Sequence, residues 1–488
     1  MINKPLRLLR LPALAILVAL DSGCAVNPVT GNREVVLLSV DSEKEIGAEN
    51  AQQVEKEMGL FQNPALLDYT QAIGNRLAEH SPYQEVSYQF QIVDSEDPNA
   101  FALPGGYVYV SRGLLVLVNS EDELAGVIGH EIGHVAARHG VQRLTRSAPI
   151  GLVTGITSAA VGIVSSSLSN VVSGTGSLLN SAILAPYSRG QENDADAIGQ
   201  ELAAKAGWNP EGITLFLNTL NREVARKGGD SGRIAFLSTH PSTPERVSKT
   251  EQRASEIEYN KVKSIAKNHA AFLDKLNGLI IGEDVRQGVI IGRDFLHPTM
   301  NIGMTFPEAW EIVNHPDYVV AVAKGQGATI MLQLQGEGID PGKAASSFLD
   351  EANLGNKTVK KITISGLPAS RVVLDRRGQK AIITWVAYKG DIYRLIAVSK
   401  NNGANYSQVL RKTMSSFHQL SSSEKTKIRQ QRLRIISARK GEKLAALLKR
   451  AGSTWDEETC AIANNLQVGD VLKERQLVKV AISEVFKK

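Results

Sequence analysis

The sequence predicts an α+β chain of several domains: a mainly helical domain holding a small sheet, then a strand-rich α+β domain, then a small βααβ module. Helical periodicity runs through 41–58, 64–78 and 120–137. From 288 to 398 the pattern changes to short alternating strands, and 433–482 reads strand, helix, helix, strand. A length of 488 residues alone asks for two or three domains.

At the N-terminus, Lys4, Arg7 and Arg10 precede an apolar run, Ala13 to Leu20, that is too short to span a bilayer. Gly23-Cys24 follows, so 1–23 reads as a signal peptide. The pattern resembles a bacterial lipoprotein signal, which implies lipidation of Cys24; a plain cleaved signal would leave Cys24 a free thiol. Asn27-Pro28-Val29-Thr30-Gly31 is a turn-rich tether. Val86–Val93 alternates as a strand, and Gly105-Gly106 opens a second, Tyr107–Ser111. Ser120 and Glu123 form a capping box for the helix ending near Ala137, with Gly140 past its last turn. Between Arg146 and Arg189 there is no charge, which fits a membrane hairpin, a lid-like helical hairpin or a face resting on a membrane. Pro244–Lys267 is a charged helix. The later strands are Gly288–Ile291, Val319–Val322, Thr329–Leu334, Val359–Ile364 and Ala381–Val386, with helices Ala344–Ala352 and Tyr406–Phe417 on the sheet. A linker, Ser421–Lys427, leads to the last module. The expected domains are therefore 24–268, 285–420 and 428–485.

Composition narrows the function. Net charge is +5 with 43% hydrophobic residues, and the basic runs 425–434 and 440–450 lack interleaved aromatics, so a nucleic-acid partner is not expected. Two cysteines, Cys24 and Cys460, exclude a disulfide framework.

The chemistry lies in His130-Glu131-Ile132-Gly133-His134. Residues four apart share a helix face, so both imidazoles can hold one metal, while Glu131 is turned about 100° from His130 and can serve as a general base. A third protein ligand is needed. Ala137 and Gly140 occupy the places where a metzincin carries glycine and histidine. His139 stands about half a turn off the His130 face and reads as structural. Glu192 and Asp196, four apart in a later segment, are better placed: one carboxylate to bind the metal, the other to fix a ligand imidazole.

His130–His134 with Ser188-Arg189…Glu192…Ala195-Asp196, preceded by Asn99-Ala100-Phe101-Ala102 and Pro104-Gly105-Gly106 and followed by Ser238-Thr239-His240-Pro241…Arg246, resembles the HtpX- and CAAX-protease-like zinc metallopeptidases, gluzincin family forty-eight. Cys24 with the Asn27–Gly31 segment is similar to the secreted branch of that family. The resemblance covers about 24–262. It implies a zincin-type domain and one Zn2+ per chain on His130, His134 and Glu192, with Asp196 behind the ligands. It also implies a substrate laid along an edge strand, assigned to Tyr107, Val108, Tyr109, Val110 and Ser111. His240 or Arg246 is a candidate oxyanion donor; equally, Arg246 fits a structural salt bridge and His240 a plug in the open zinc position. Gly441-Glu442-Lys443-Leu444, Ala463–Leu466 and Gln476–Val480 resemble a LysM module, which implies peptidoglycan binding. The function implied is an envelope metalloendopeptidase, periplasmic and held to the outer membrane by lipid, acting on unfolded or misassembled envelope proteins. A peptidoglycan-tethered chaperone or adaptor with a latent or structural zinc site is the alternative.

Overall fold

The computed structural model describes residues 24–26, 33–35, 38–147, 185–229, 234–325, 327–354, 357–376, 379–400 and 406–487. The expected signal peptide, the 27–31 tether and most of the uncharged 147–188 stretch lie outside them. Among the described residues no helix is long and apolar enough to cross a membrane. The chain is α+β and divides into two compact units. One gathers the described residues up to 147, those from 185 to 281, and 432–482; the other gathers 282–431 and 483–487.

In the first unit, β1 (Cys24–Val26) pairs antiparallel with β2 (Arg33–Val35). Helix α1 (Val40–Met58) is capped by Ser39, which accepts from the Ser42 amide at 3.1 Å. Helix α2 (Pro64–Ala78) starts with Pro at a position that needs no donor, capped by Asn63. It buries Leu66, Tyr69, Ile73 and Leu77, one stripe at helical spacing, in the main core. Strands β3 (Gln89–Val93), β4 (Ala100–Leu103) and β5 (Tyr107–Ser111) form a sheet of order β3-β5-β4. The strand expected at the edge, Tyr107–Ser111, is therefore the central one, parallel to β3 and antiparallel to β4.

A short helix α3 (Arg112–Leu117) leads into α4 (Glu121–Ala136), buried along nearly its whole length. Ser120 accepts from the Glu123 amide at 3.1 Å, but Glu123 does not return the bond to Ser120: its Oε2 takes the Asn119 amide at 2.9 Å. The helix stops before Gly140. Arg138 turns left-handed (φ 54°) and α5 (His139–Ser147) starts at once. Helix α6 (Arg189–Lys205) opens with a full capping box from Ser188 and Gln191. Then follow α7 (Gly212–Arg226), α8 (Ala235–Thr239), α9 (Pro244–Glu256), α10 (His269–Leu276) and β6 (Ile280–Ile281). The charged helix ends at Glu256 rather than Lys267, because Ile257 is extended.

The second unit is built on an antiparallel seven-stranded sheet: β10 (Glu311–His315), β11 (Tyr318–Val322), β12 (Ala328–Glu337), β16 (Asp391–Lys400), β15 (Gln379–Tyr388), β14 (Leu367–Arg376) and β13 (Lys360–Ile364), in that order. Helix α11 (Pro341–Glu351) packs Ala345 and Leu349 with Val372 and Trp385 in one cluster. Helix α12 (Tyr406–Ser415) places Leu410 and Met414 in another with Ile330 and Leu395. A four-stranded sheet joins β17 (His418–Gln419), β9 (Ile302–Thr305), β8 (Asp294–His297) and β7 (Val289–Ile291). The expected linker 421–427 is instead a helix, α13 (Ser422–Lys427), because Ser421 and Glu424 cap its start reciprocally.

The last segment runs β18 (Arg429–Ser437), α14 (Leu444–Ala451), α15 (Glu457–Ala463) and β19 (Leu477–Val485), with β18 between β19 and β6. Cys460 is buried in its small core with Leu447, Leu472 and Val478. Residues 432–482 cluster with the first unit. There Lys479, wholly buried, donates to the carbonyls of Val116 (2.9 Å) in the last turn of α3 and Val118 (2.7 Å) just after it.

Candidate metal centre

Two helices make the site, and their glycines decide how closely they approach. A Cβ on Gly129 of α4 would lie 2.9 Å from the Gly199 carbonyl, and one on Gly199 of α6 would lie 2.6 Å from the His130 amide. Only the missing side chains let the backbones meet there, and that contact carries Glu192 to His130 and His134.

His130, His134, Glu192 and His240 each offer one ligand atom, all within 4.8 Å of one another and all buried. His130 Nε2 and His134 Nε2 are 3.1 Å apart. Glu192 carboxylate oxygens lie 3.6 Å from His130 Nε2 and 3.4 Å from His134 Nε2. His240 Nδ1 lies 3.0 Å from Glu192 Oε1 and 3.3 Å from His130 Nε2. Tetrahedral zinc with bonds of about 2.0–2.1 Å separates its ligand atoms by about 3.3 Å. The donors are of the types zinc takes, and the separations above, 3.0–3.6 Å, lie close to that spacing. Glu131 is also wholly buried, yet neither carboxylate oxygen has a hydrogen-bond partner, and the same holds for His240 Nε2, 3.5 Å from Glu131 Oε1. A buried carboxylate without partners is costly unless an ion or a reacting molecule completes it.

The ligands are held from behind. His130 Nδ1 donates to Asp196 Oδ1 at 2.9 Å, which leaves Nε2 with its lone pair towards the other donors. Arg246 forks onto Asp196 through Nε (2.7 Å) and Nη2 (2.9 Å) and meets Glu192 Oε2 through Nη1 at 2.5 Å. His134 Nδ1 is 2.9 Å from His139 Nδ1, and the Tyr187 ring stacks on His134 at 3.8 Å. Burial pushes the Glu131 carboxyl up and drives His134 well below the ordinary imidazole range, into the neutral form that ligates. For Glu192 burial acts upwards too, but the charges of His240 and Arg246 win and hold it well below the usual carboxylate range. Asp196 is likewise kept low by Arg246 against the pull of burial.

The structure brings Glu131, His130, His134, Glu192, Asp196, His240 and Arg246 into one buried group. It separates off two expectations. Tyr107–Ser111 is paired on both sides and has no free edge for a substrate; the outer strands are β3 and β4, and Ala102 and Leu103 of β4 line one cleft with His134 and Tyr187. Arg246 is not a free oxyanion donor, because its nitrogens are engaged by Asp196, Glu192 and the carbonyls of His240 (3.3 Å) and Pro241 (3.5 Å). The sequence reading set His139 aside as structural and on the wrong face, and gave Tyr187 no role. The 100° per residue used to place His139 assumes an unbroken helix, and Arg138 breaks it.

Residues 64–254, which contain every member of this group, match the model of peptidase family M48. The chain is 30% identical over 228 residues to the mitochondrial metalloendopeptidase OMA1 of Schizosaccharomyces pombe, covering 46% of this chain and 65% of that one. It is 28% identical over 237 residues to the beta-barrel assembly-enhancing protease of Yersinia pestis, covering 47% of each. It is 34% identical over 169 residues to the OMA1 of Arabidopsis thaliana, covering 35% of this chain and 32% of that one. The chain thus spans less than two thirds of the curated relatives it matches. By motif, donor set and likeness together, residues 64–254 are similar to peptidase family M48 and hold the residues of a possible zinc site.

Proposed function

We propose that this protein is a zinc metalloendopeptidase of the bacterial cell envelope, degrading misfolded or stalled outer-membrane and periplasmic proteins. The observation that carries the reading is Glu131: a buried carboxylate with no hydrogen bond, 3.5 Å from His240 Nε2 and held beside a set of four metal-ligating donors. A structural metal site would not need it. Zinc on His130, His134 and Glu192 supplies Lewis acidity to the scissile carbonyl and to the attacking water. Glu131 would take the proton of that water and pass it to the leaving amine nitrogen.

The substrate strand is assigned to the outer side of β4, whose residues are buried in this structure. The Ser111 amide donates to the Asn99 carbonyl, so Asn99, Phe101 and Leu103 bond inward to β5 while the amides and carbonyls of Ala100 and Ala102 point outward. Strand addition there reads backbone more than side chains, which suits unfolded polypeptides. His240 is the plug of the resting enzyme: Nδ1 fills the fourth position of the donor set and Nε2 faces the base.

The names of the bacterial relatives support an envelope substrate. In this reading 1–23 is a signal peptide, Cys24 carries lipid at the outer membrane, 24–268 is the peptidase, 285–420 an α+β domain and 428–485 a LysM-like module on peptidoglycan. Labelled palmitate entering the wild type but not Cys24→Ser, and co-sedimentation with purified peptidoglycan, test the two anchors. The activity is tested by stripping metal with chelator and adding one equivalent of zinc. Cleavage of unfolded casein returns; if it does not, the reading fails.

A further inference from the structure

We propose that His139 is a positioning residue of the metal centre, taking the Nδ1 proton of His134 and so fixing that ligand in the tautomer that turns Nε2 to the metal. This rests on the zinc reading above and adds a residue to it.

The argument starts at the two ligand histidines. Each needs its ligating nitrogen free of hydrogen, so each must carry its proton on Nδ1 and place it on an acceptor. For His130 the acceptor is Asp196 Oδ1 at 2.9 Å. For His134 the atom facing Nδ1 is His139 Nδ1 at 2.9 Å, on a ring that is 1% exposed. That bond forms only if His139 keeps a lone pair on Nδ1 and its own proton on Nε2. The two ligands are thus supported by different chemistry: a carboxylate paired with Arg246 on one side, a neutral imidazole on the other.

The chain is shaped to deliver this ring. Arg138 adopts φ 54°, which a side chain other than glycine rarely takes, and it is held there by Glu43 of α1 at 3.0 Å from Nε and 2.9 Å from Nη2. The reversal starts α5 with His139 aimed back at His134 instead of continuing α4 away from it. The same helix carries Arg143, whose guanidinium lies 4.2 Å over the Tyr187 ring, and that ring is stacked 3.8 Å from His134. Helix α5 therefore grips His134 twice, at its Nδ1 edge and through a stacked aromatic on its face.

The experiment measures zinc affinity of the full-length protein by competition with a chromogenic chelator, for wild type, His139→Leu and His139→Asn. Leucine fills the space without accepting a proton bond; asparagine restores an acceptor oxygen near the place of Nδ1. Loss of a ligand's hydrogen-bond partner costs about 10–100-fold in metal affinity. His139→Leu loses that much, and His139→Asn recovers most of it. Thermal unfolding of the metal-free proteins runs alongside. A purely packing role predicts that Leu and Asn change apoprotein stability while zinc affinity stays level, or that neither restores it; either result overturns the proposal. Failure of the wild type itself to bind zinc overturns the site reading, and this inference with it.

Discussion

Replacing Arg246 by methionine isolates what the cation behind the ligands contributes. Arg246 is 3% exposed, and its nitrogens lie 2.5–2.9 Å from the carboxylates of Glu192 and Asp196, each 1% exposed. Methionine keeps much of the side chain's bulk and leaves two buried anions without their cation. Removing one partner of a buried ion pair costs about 3–5 kcal/mol, far more than an exposed pair is worth. For a folding unit of this size each kcal/mol moves the melting temperature by about 2–4 °C, so metal-free Arg246→Met melts roughly 6–20 °C below wild type. Zinc brings positive charge to Glu192 and narrows the gap without closing it, because Asp196 does not ligate. Asp196→Asn in the same chain removes the uncompensated charge and recovers part of the loss, a coupling that a double-mutant cycle reads directly. The assay is calorimetry with chelator and with saturating zinc. A metal-free melting temperature for Arg246→Met within about 2 °C of wild type would refute the reasoning.

His240→Ala opens the fourth position and frees Glu131, so cleavage of an unfolded substrate rises while zinc content stays at one per chain; a fall in cleavage would instead make His240 a donor in the reaction. Burial holds the Lys479 ammonium down to about 7, whereas the unfolded chain keeps the ordinary value of 10.5. Between those values the unfolded state binds more protons, so this residue's contribution to stability rises with pH from about 7 to 10.5. Urea titrations at pH 7 and 10 show that rise in the wild type and its loss in Lys479→Met; equal slopes in both would show that the ammonium is not buried as described.

The juxtaposition of the candidate metal ligands was legible in the sequence because helix geometry turns spacing into distance: His130 and His134 lie four apart on α4, and Glu192 and Asp196 lie four apart on α6. Where the helix is interrupted the rule fails. Arg138 at φ 54° brings His139 to the site, and nothing in the local composition marks that reversal, because the residue that holds it, Glu43, lies 95 positions away. Strand order was invisible for a related reason. The residues of β5 alternate like any strand, and only the pairing with β3 and β4 makes it central. In the second unit β14 and β16 went unread as strands: Pro368, Arg371 and Asp375 interrupt one, and Asp391 and Arg394 the other, and their burial depends on neighbours across the sheet. The buried Lys479 reads in sequence as one more exposed charge; its partners are backbone carbonyls more than 360 residues earlier.

The central claim is that Glu131 is the base of a zinc peptidase, and Glu131→Gln tests it most directly. The substitution keeps volume and leaves His130, His134 and Glu192 in place. Zinc content by atomic emission and thermal stability stay at wild-type levels, while cleavage of an unfolded outer-membrane protein falls by a factor of about 10² or more, the size of general-base catalysis. The substrate still binds, because pairing with the outer edge of Ala100–Leu103 does not involve Glu131. Undiminished cleavage by zinc-loaded Glu131→Gln would contradict the account, and full envelope function of that variant in cells would leave the protein a chaperone or adaptor rather than a protease.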